Sequence, residues 1–255
     1  MGRFDGKSVM IVGAAGGIGA ATARKFAEEG ASLALFDISD SVTAVLDGVA
    51  GGSGLAATID ITDLDSCAGA ARAVLDRFGR IDVLAVIAGL IHDANPVTEL
   101  PIDDWDRIMD VNLKGPFLLM KAVAPLIGAG GSIVTIGSWY GHSGHAFFSA
   151  YCASKAGLIV LSQTLAGELA DSGIRVNCVC PGNINTNMHR DALAAEAAKR
   201  GVSFEEMRDI EWAKIPLKEA GDPSVIADAV AFLASDDAGY ITGASLDVNG
   251  GVLFR

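Results

Sequence analysis

Seven short apolar runs, most of them followed by a longer stretch of helical pattern, constrain this chain more than any other feature. They are Ser8 to Val12, Ser32 to Phe36, Leu55 to Ile59, Val83 to Ile87, Ser132 to Ile136, Arg175 to Val179 and Ser245 to Val248. Most are continuously apolar rather than alternating, as strands are when helices cover both faces of a parallel sheet. Gly19 to Glu29, Asp63 to Phe78, Ile102 to Ala129, Ala150 to Ala170 and Pro223 to Ala234 read as the helices between them. Repeated strand-helix-strand order with right-handed crossovers predicts an α/β fold, a doubly wound parallel seven-stranded sheet. No linker, repeat or low-complexity tract divides residues 1–255, and 51% hydrophobic residues suffice for one large core, so a single domain is expected. Ligands should bind at the carboxyl ends of the strands.

Charge narrows the partners. The chain has 31 acidic and 19 basic residues, a net charge of -12, and no Lys/Arg cluster, so nucleic acid and anionic membrane are not expected partners. The strongest apolar run, Phe117 to Ile127, contains Lys121 and Pro125 and is far short of the roughly 20 residues of a membrane span. The residues from Met1 to Lys7 show no signal-peptide core, and Gly6 stands where a myristoylation signal wants Ser or Thr; a cytoplasmic protein is expected. Cys178 and Cys180, two apart on a strand, are too strained for a good disulfide. Neither C-x-x-C pairing nor an H-E-x-x-H helix accompanies His92, His142, His145 and His189, so no metal is expected.

The first strand runs into Gly13-Ala14-Ala15-Gly16-Gly17-Ile18-Gly19 and then a helix. Small residues there let a backbone approach a pyrophosphate at the helix N-terminus. About 20 residues on, Asp37 ends the second strand, where a carboxylate accepts from the ribose of adenosine. Asp37 also repels a 2'-phosphate, and Ile38 and Gly16 supply no cation to receive one, so NAD is expected over NADP. Farther along, Tyr151 and Lys155 are four residues apart and share one helix face. An ammonium beside a phenol favours the phenolate, which would fit Tyr151 to move protons.

These motifs, with others in the same order, resemble the short-chain dehydrogenase/reductase family over nearly the whole chain. Gly13 to Gly19 matches its G-x-x-x-G-x-G turn. Asp60-Ile61 matches the Asp-aliphatic pair that touches adenine, and Ala88-Gly89 the end of its N-N-A-G element. Asn112 matches the active-site asparagine, and Ser138 lies thirteen residues before Tyr151. Pro181-Gly182-Asn183-Ile184-Asn185-Thr186 resembles the segment that holds the nicotinamide half, and Tyr240 to Gly251 the C-terminal strand region. The resemblance implies a Rossmann fold and oxidation of an alcohol or reduction of a ketone. Tyr151 would exchange the hydroxyl proton, Lys155 lower its pKa and hold the nicotinamide ribose, Ser138 hold the substrate oxygen, and Asn112 fix a water beside Lys155. The family's polar pair between the first and fourth strands is replaced by Val12, Val86 and Ile87, a joint change compatible with an intact fold, although Ile87 then offers a cofactor no polar side-chain contact.

The segment 187–215 resembles the family's substrate lid. His92, Asn95, Trp139, Tyr140, His145, Phe147, Phe148, Met188 and Trp212 are candidates to line the site. They point to a moderately apolar, ring-sized secondary alcohol or ketone, with Arg190 able to meet a carboxylate. Two alternatives remain: a 3-oxoacyl reductase of fatty-acid type, disfavoured by Asp37 because those enzymes usually use NADPH, and a catalytically silent dinucleotide-binding sensor. Ile102 to Ala129 and Ala150 to Ala170 are too apolar around their circumference for helices with one solvent face, and the chain ends in Val252-Leu253-Phe254. Related enzymes pair such helices and tails between subunits, which implies a homotetramer, with a dimer next, and Phe254 buried near a subunit boundary.

Overall fold

The computed structural model describes residues 2–50 and 54–255; Met1 and residues 51–53 of the expected domain lie outside them. Seven parallel strands form one sheet: β1 (Ser8–Val12), β2 (Ser32–Asp37), β3 (Leu55–Thr58), β4 (Ile81–Val86), β5 (Ile127–Ile136), β6 (Arg175–Pro181) and β7 (Ser245–Val248). Their order is β3-β2-β1-β4-β5-β6-β7, so the winding reverses between β1 and β4 and opens a crevice there. The helices are α1 (Gly17–Glu28), α2 (Val42–Ala50), α3 (Leu64–Phe78), α4 (Ile102–Met109), α5 (Gly115–Val123), α6 (Ser149–Leu169), α7 (Asn187–Arg200), α8 (Phe204–Trp212) and α9 (Pro223–Ala234). The doubly wound seven-stranded sheet is as expected.

Strand side chains alternate between two cores. Met10 and Val12 of β1 meet Val74, Leu119 and Leu158 on one face, while Val9 and Ile11 join Phe26, Ile226 and Val230 on the other. β1 and β4 are buried along their whole lengths, which is why they read as unbroken apolar runs. Phe26 is fully buried edge-on against Phe4, a burial worth about 2 to 3 kcal/mol. The residues replacing the family's polar pair sit in these cores: Val12 faces Val86 in register and shares its cluster, and Ile87 packs into the other.

Two sequence expectations are corrected. Residues 102–129 are not one helix: α4 passes through a wide π-turn, Asp110–Lys114, into α5, which ends at Val123. Pro116 accounts for the wide turn, because it has no N–H for the Asn112 carbonyl and its ring would clash there in a regular helix. Pro125 then lies in a short 3₁₀ turn, and β5 starts at Ile127 rather than Ser132, with a register shift against β4 between Ile81 and Val83. The second correction is α2, absent from the expected helices: it is nine residues long and carries Gly48, too short and too weak for a clear period.

Candidate active site

At the end of β1, Gly13 has φ 90°, and a Cβ on it would overlap the Ala88 backbone nitrogen. The Val12 carbonyl accepts from Ile87 and Ala88, and the Gly13 and Ala14 N–H groups donate to Phe36, so the turn is tied to both neighbouring strands. Gly19 similarly has no room for a Cβ against the Gly13 carbonyl, which lets α1 start close under the turn. Gly16 faces open space, and Gly17, with φ 50°, faces the Thr186 side chain across the crevice. A site for an extended anionic ligand thus lies between the N-terminus of α1, beside Ala15 and Ile18, and the 181–186 segment.

Asp37 is already held in place. One carboxylate oxygen accepts from Ala15 N at 2.8 Å and the other from Ser39 N at 3.0 Å. Beside it, an open groove of about 500 Å³ is lined by Ile38, Ser39, Asp40, Thr58, Ile59, Asp60 and Ser66. Asp60 faces this groove, and its carboxyl is held below its usual range by the Thr62 hydroxyl and N–H. Ile61, its expected partner, instead turns inward, buried against Gly115.

On the other side of the crevice, β5 runs through Gly137 into Ser138, whose hydroxyl caps the next turn by accepting from Tyr140 N. Gly137 and Gly141 have no room for a Cβ against Cys178 and the Lys155 backbone, respectively, so the turn lies flat on α6. That helix carries Tyr151 and Lys155 one turn apart, with the Lys155 Nζ 5.8 Å from the Tyr151 ring centre and donating to the Ile136 carbonyl at 2.8 Å. Asn112, fully buried in the π-turn, accepts from Leu90 N at 2.7 Å and donates to Leu90 O at 2.8 Å and to Ser154 Oγ at 3.2 Å. Gly89 lies against both the Lys155 Nζ and the Asn112 amide oxygen. Asn112, Ser138, Tyr151 and Lys155 therefore converge from the π-turn, β5 and α6.

The expectation that Lys155 lowers the Tyr151 pKa is corrected. Burial pushes the Tyr151 phenol up to about 12, with the Ser138 hydroxyl acting in the opposite direction, and brings Lys155 down to about 8. Loss of water from the charged form is the largest cause of both shifts.

Most expected lining residues form one aromatic wall. Tyr140 stacks on His145 at 3.9 Å and lies 5.5 Å from Phe148 and 5.9 Å from Tyr151. Trp139 is edge-on to His145, and buried His92 lies 5.8 Å from Phe148. The His92 Nε2 is buried without a partner, while Nδ1 contacts the Asp93 carbonyl. Asn95 N donates to the carbonyl of Phe147, an exposed residue with φ 72°. Met188 and Trp212 stand apart on α7 and α8, where Trp212 donates to His189 at 3.3 Å. Arg190 is not free to meet a substrate carboxylate as placed, since it donates to the Asn185 and Asn187 side chains. Pro181 ends β6, Gly182 N donates to Val248, Ile184 is buried, and Thr186 caps α7. Sequence reasoning missed Ser154, which joins Asn112 to the Tyr151 carbonyl; its only signal was a hydroxyl between Tyr151 and Lys155.

Residues 13–253 match the family model described as enoyl-(acyl carrier protein) reductase. The 3-oxoacyl-[acyl-carrier-protein] reductase FabG of Thermotoga maritima is 38% identical over 98% of this chain and 99% of its own. The 2,5-dichloro-2,5-cyclohexadiene-1,4-diol dehydrogenase LinX of Sphingobium indicum is 36% identical over 98% of this chain and 97% of its own. Among solved structures, NAD+-bound xylitol dehydrogenase superposes with a TM-score of 0.90 at 32% identity, over 97% of this chain and 99% of that one. With sheet order, glycine turn and end-to-end similarity in agreement, the chain belongs to the short-chain dehydrogenase/reductase family of oxidoreductases, which bind a nicotinamide dinucleotide.

Proposed function

We propose that this protein is an NAD-dependent dehydrogenase that interconverts a secondary alcohol and its ketone, with Tyr151 as general acid and base. The observation that carries the proposal is the convergence of Ser138, Tyr151 and Lys155 on the crevice that the glycine turn enters from the other side. The residues fit a dinucleotide: Gly13, Ala15, Gly17, Ile18 and Gly19 leave backbone free for the pyrophosphate, Asp37 and Ile38 border the adenosine ribose, and Asp60 lines the adenine groove. Ala88, Gly89, Pro181, Gly182, Ile184 and Thr186 border the nicotinamide half. A bound nicotinamide would supply the hydride acceptor for alcohol oxidation and the hydride donor for ketone reduction. Tyr151 takes the hydroxyl proton in oxidation and gives it back in reduction, Ser138 holds the oxygen that carries it, and Lys155 and Asn112 fix the floor beneath Tyr151.

NAD is favoured because Asp37 repels a 2'-phosphate, and the described lining of the adjacent groove adds Asp40 and Asp60 but no Lys or Arg. The aromatic wall of Tyr140, His145 and Phe148, with His92 behind it, suits a ring-sized alcohol; similarity to the cyclohexadienediol dehydrogenase supports this. Residues 187–215 form the lid, with Leu193, Ala197 and Met207 packed in a small core of their own. A homotetramer is proposed from an open groove of about 440 Å³ lined by Met109, Leu113, Phe117 and Leu161 with Asp110 and Lys114, and from the exposed Val160 and Phe254. The cytoplasm is the proposed location; no helix among the described residues is long and apolar enough to cross a membrane.

The similarity to FabG keeps a 3-oxoacyl reductase as the second reading. Absorbance of the reduced cofactor separates the two when purified protein is offered NAD or NADP with cyclic, aromatic and sugar alcohols, or NADPH with a 3-oxoacyl thioester. Turnover of a cyclic alcohol with NAD is expected, and Asp37→Ala with Ile38→Arg should reverse the cofactor order. A preference for NADPH and the thioester would overturn the proposal, and dinucleotide binding without any turnover would favour the silent sensor.

A further inference from the structure

Behind the catalytic turn, three side chains that no motif spacing connects come together. Asp247 on β7 pairs in register with Cys180 on β6, and His142 reaches them from the turn that begins at Ser138. We propose that His142, Cys180 and Asp247 bind one borderline-soft divalent cation, zinc being the best match, which clamps the 138–142 turn to the end of the sheet.

The three ligand atoms, one imidazole nitrogen, one sulfur and one carboxylate oxygen, all lie within 4.8 Å of one another. Tetrahedral zinc with bonds of about 2.0 to 2.3 Å separates its ligands by roughly 3.3 to 3.8 Å, so small side-chain rotations would close the set. The His142 Nε2 faces the Asp247 Oδ1 at 3.2 Å, yet neither atom makes a hydrogen bond, although the His142 side chain is only 9% exposed. Contact at 3.2 Å makes them an ion pair when His142 is protonated, but without a hydrogen bond each atom keeps a lone pair for a cation beside them. The other Asp247 oxygen accepts from the Arg255 Nε at 2.7 Å, which orients the carboxylate and leaves Oδ1 for the metal. A nitrogen, sulfur and oxygen donor set favours zinc over magnesium or calcium, with water completing the coordination. Cys180 binds as thiolate, and its proton passes to solvent. Through His142 the ion would hold the turn that carries Ser138 and Tyr140.

Cobalt titration of the metal-stripped, full-length protein tests this. One equivalent should give a thiolate-to-cobalt charge-transfer band in the near ultraviolet with the visible bands of tetrahedral cobalt, and zinc should displace it. Cys180→Ser should abolish the charge-transfer band, and His142→Gln and Asp247→Asn should each weaken binding by about tenfold or more, since even outer-shell partners carry that much. Cys67→Ser, on the distant α3, should retain the spectrum. Unchanged circular dichroism in each variant separates lost binding from lost folding. Absence of the band in the wild type, its survival in Cys180→Ser, or equal affinity in His142→Gln would overturn the proposal and leave a His142–Asp247 ion pair.

Discussion

The two sides of the crevice are made of different materials. The proposed nucleotide side is built largely from backbone: β1, β2 and β4 are knitted by the Gly13, Ala14, Ile87 and Ala88 N–H groups, and glycines close the gaps. The proposed substrate side is built from side chains: an aromatic wall on the 139–148 turn, and α7 and α8 around a small core of their own. A backbone site leaves little to adjust without breaking the sheet, whereas a side-chain site can change ligand by substitution. The geometry thus confines variation to the aromatic half and to the outer end of the other, where the side chains of Asp37 and Ile38 lie.

Tyr151→Phe bears on the boundary between the halves and should have the largest effect. Turnover is expected to fall by about 10² to 10⁴ with cofactor affinity unchanged, as steady-state kinetics and fluorescence titration would show. Near-normal turnover would mean that another acid moves the proton.

Gly13→Val is next. A branched side chain at φ 90° would meet the Ala88 backbone, so about 3 kcal/mol or more of stability should be lost together with nucleotide binding. Normal binding by a folded variant would erase the distinction between the two halves.

Lys155→Met should abolish activity yet stabilise the fold. Depression of the Lys155 pKa from 10.5 to about 8 corresponds to about 3 kcal/mol, and loss of the partner to the Ile136 carbonyl takes back about 1, leaving a gain of about 2 kcal/mol at neutral pH. Between about pH 8 and 10.5 the folded wild type holds fewer protons on this group than the unfolded chain, so wild-type stability rises with pH and the advantage of the variant shrinks. Urea denaturation at pH 7 and pH 9.5 would reveal it; a constant difference between the two chains would refute the burial argument.

Trp212→Phe should have the smallest effect. It removes a hydrogen bond to His189, worth about 1 kcal/mol, so KM for substrate should change a few-fold while the dissociation constant of the cofactor stays put. A change in cofactor affinity instead would show that α8 reaches the nucleotide side.

What the sequence made legible follows the same division. Continuous runs such as Val9 to Val12 and Val83 to Val86 announce buried strands because both faces want apolar side chains, and glycines at 13 and 19 announce close backbone approach. Elements decided by long-range packing were less visible. α2 is short, and β5 begins five residues early because Pro125 ends the preceding helical stretch. The direction of the Tyr151 pKa was not legible either, since pairing with Lys155 is visible at a spacing of four and desolvation is not. His142, Cys180 and Asp247 lie far apart along the chain; the register of β6 and β7 joins the last two, and the turn after Ser138 brings in His142.

The π-turn at 110–114 also has a genetic consequence. A regular helix advances about 100° per residue, so deleting one residue between Asn112 and α5, Leu113 for instance, would rotate Asn112 by that angle relative to α5. The Asn112 amide would then lose Leu90 and Ser154, while nearly every apolar contact of α5 could persist. A single in-frame codon loss could therefore leave a chain that folds and still unfasten the floor of its crevice, as an Asn112 substitution would, without touching Asn112 itself.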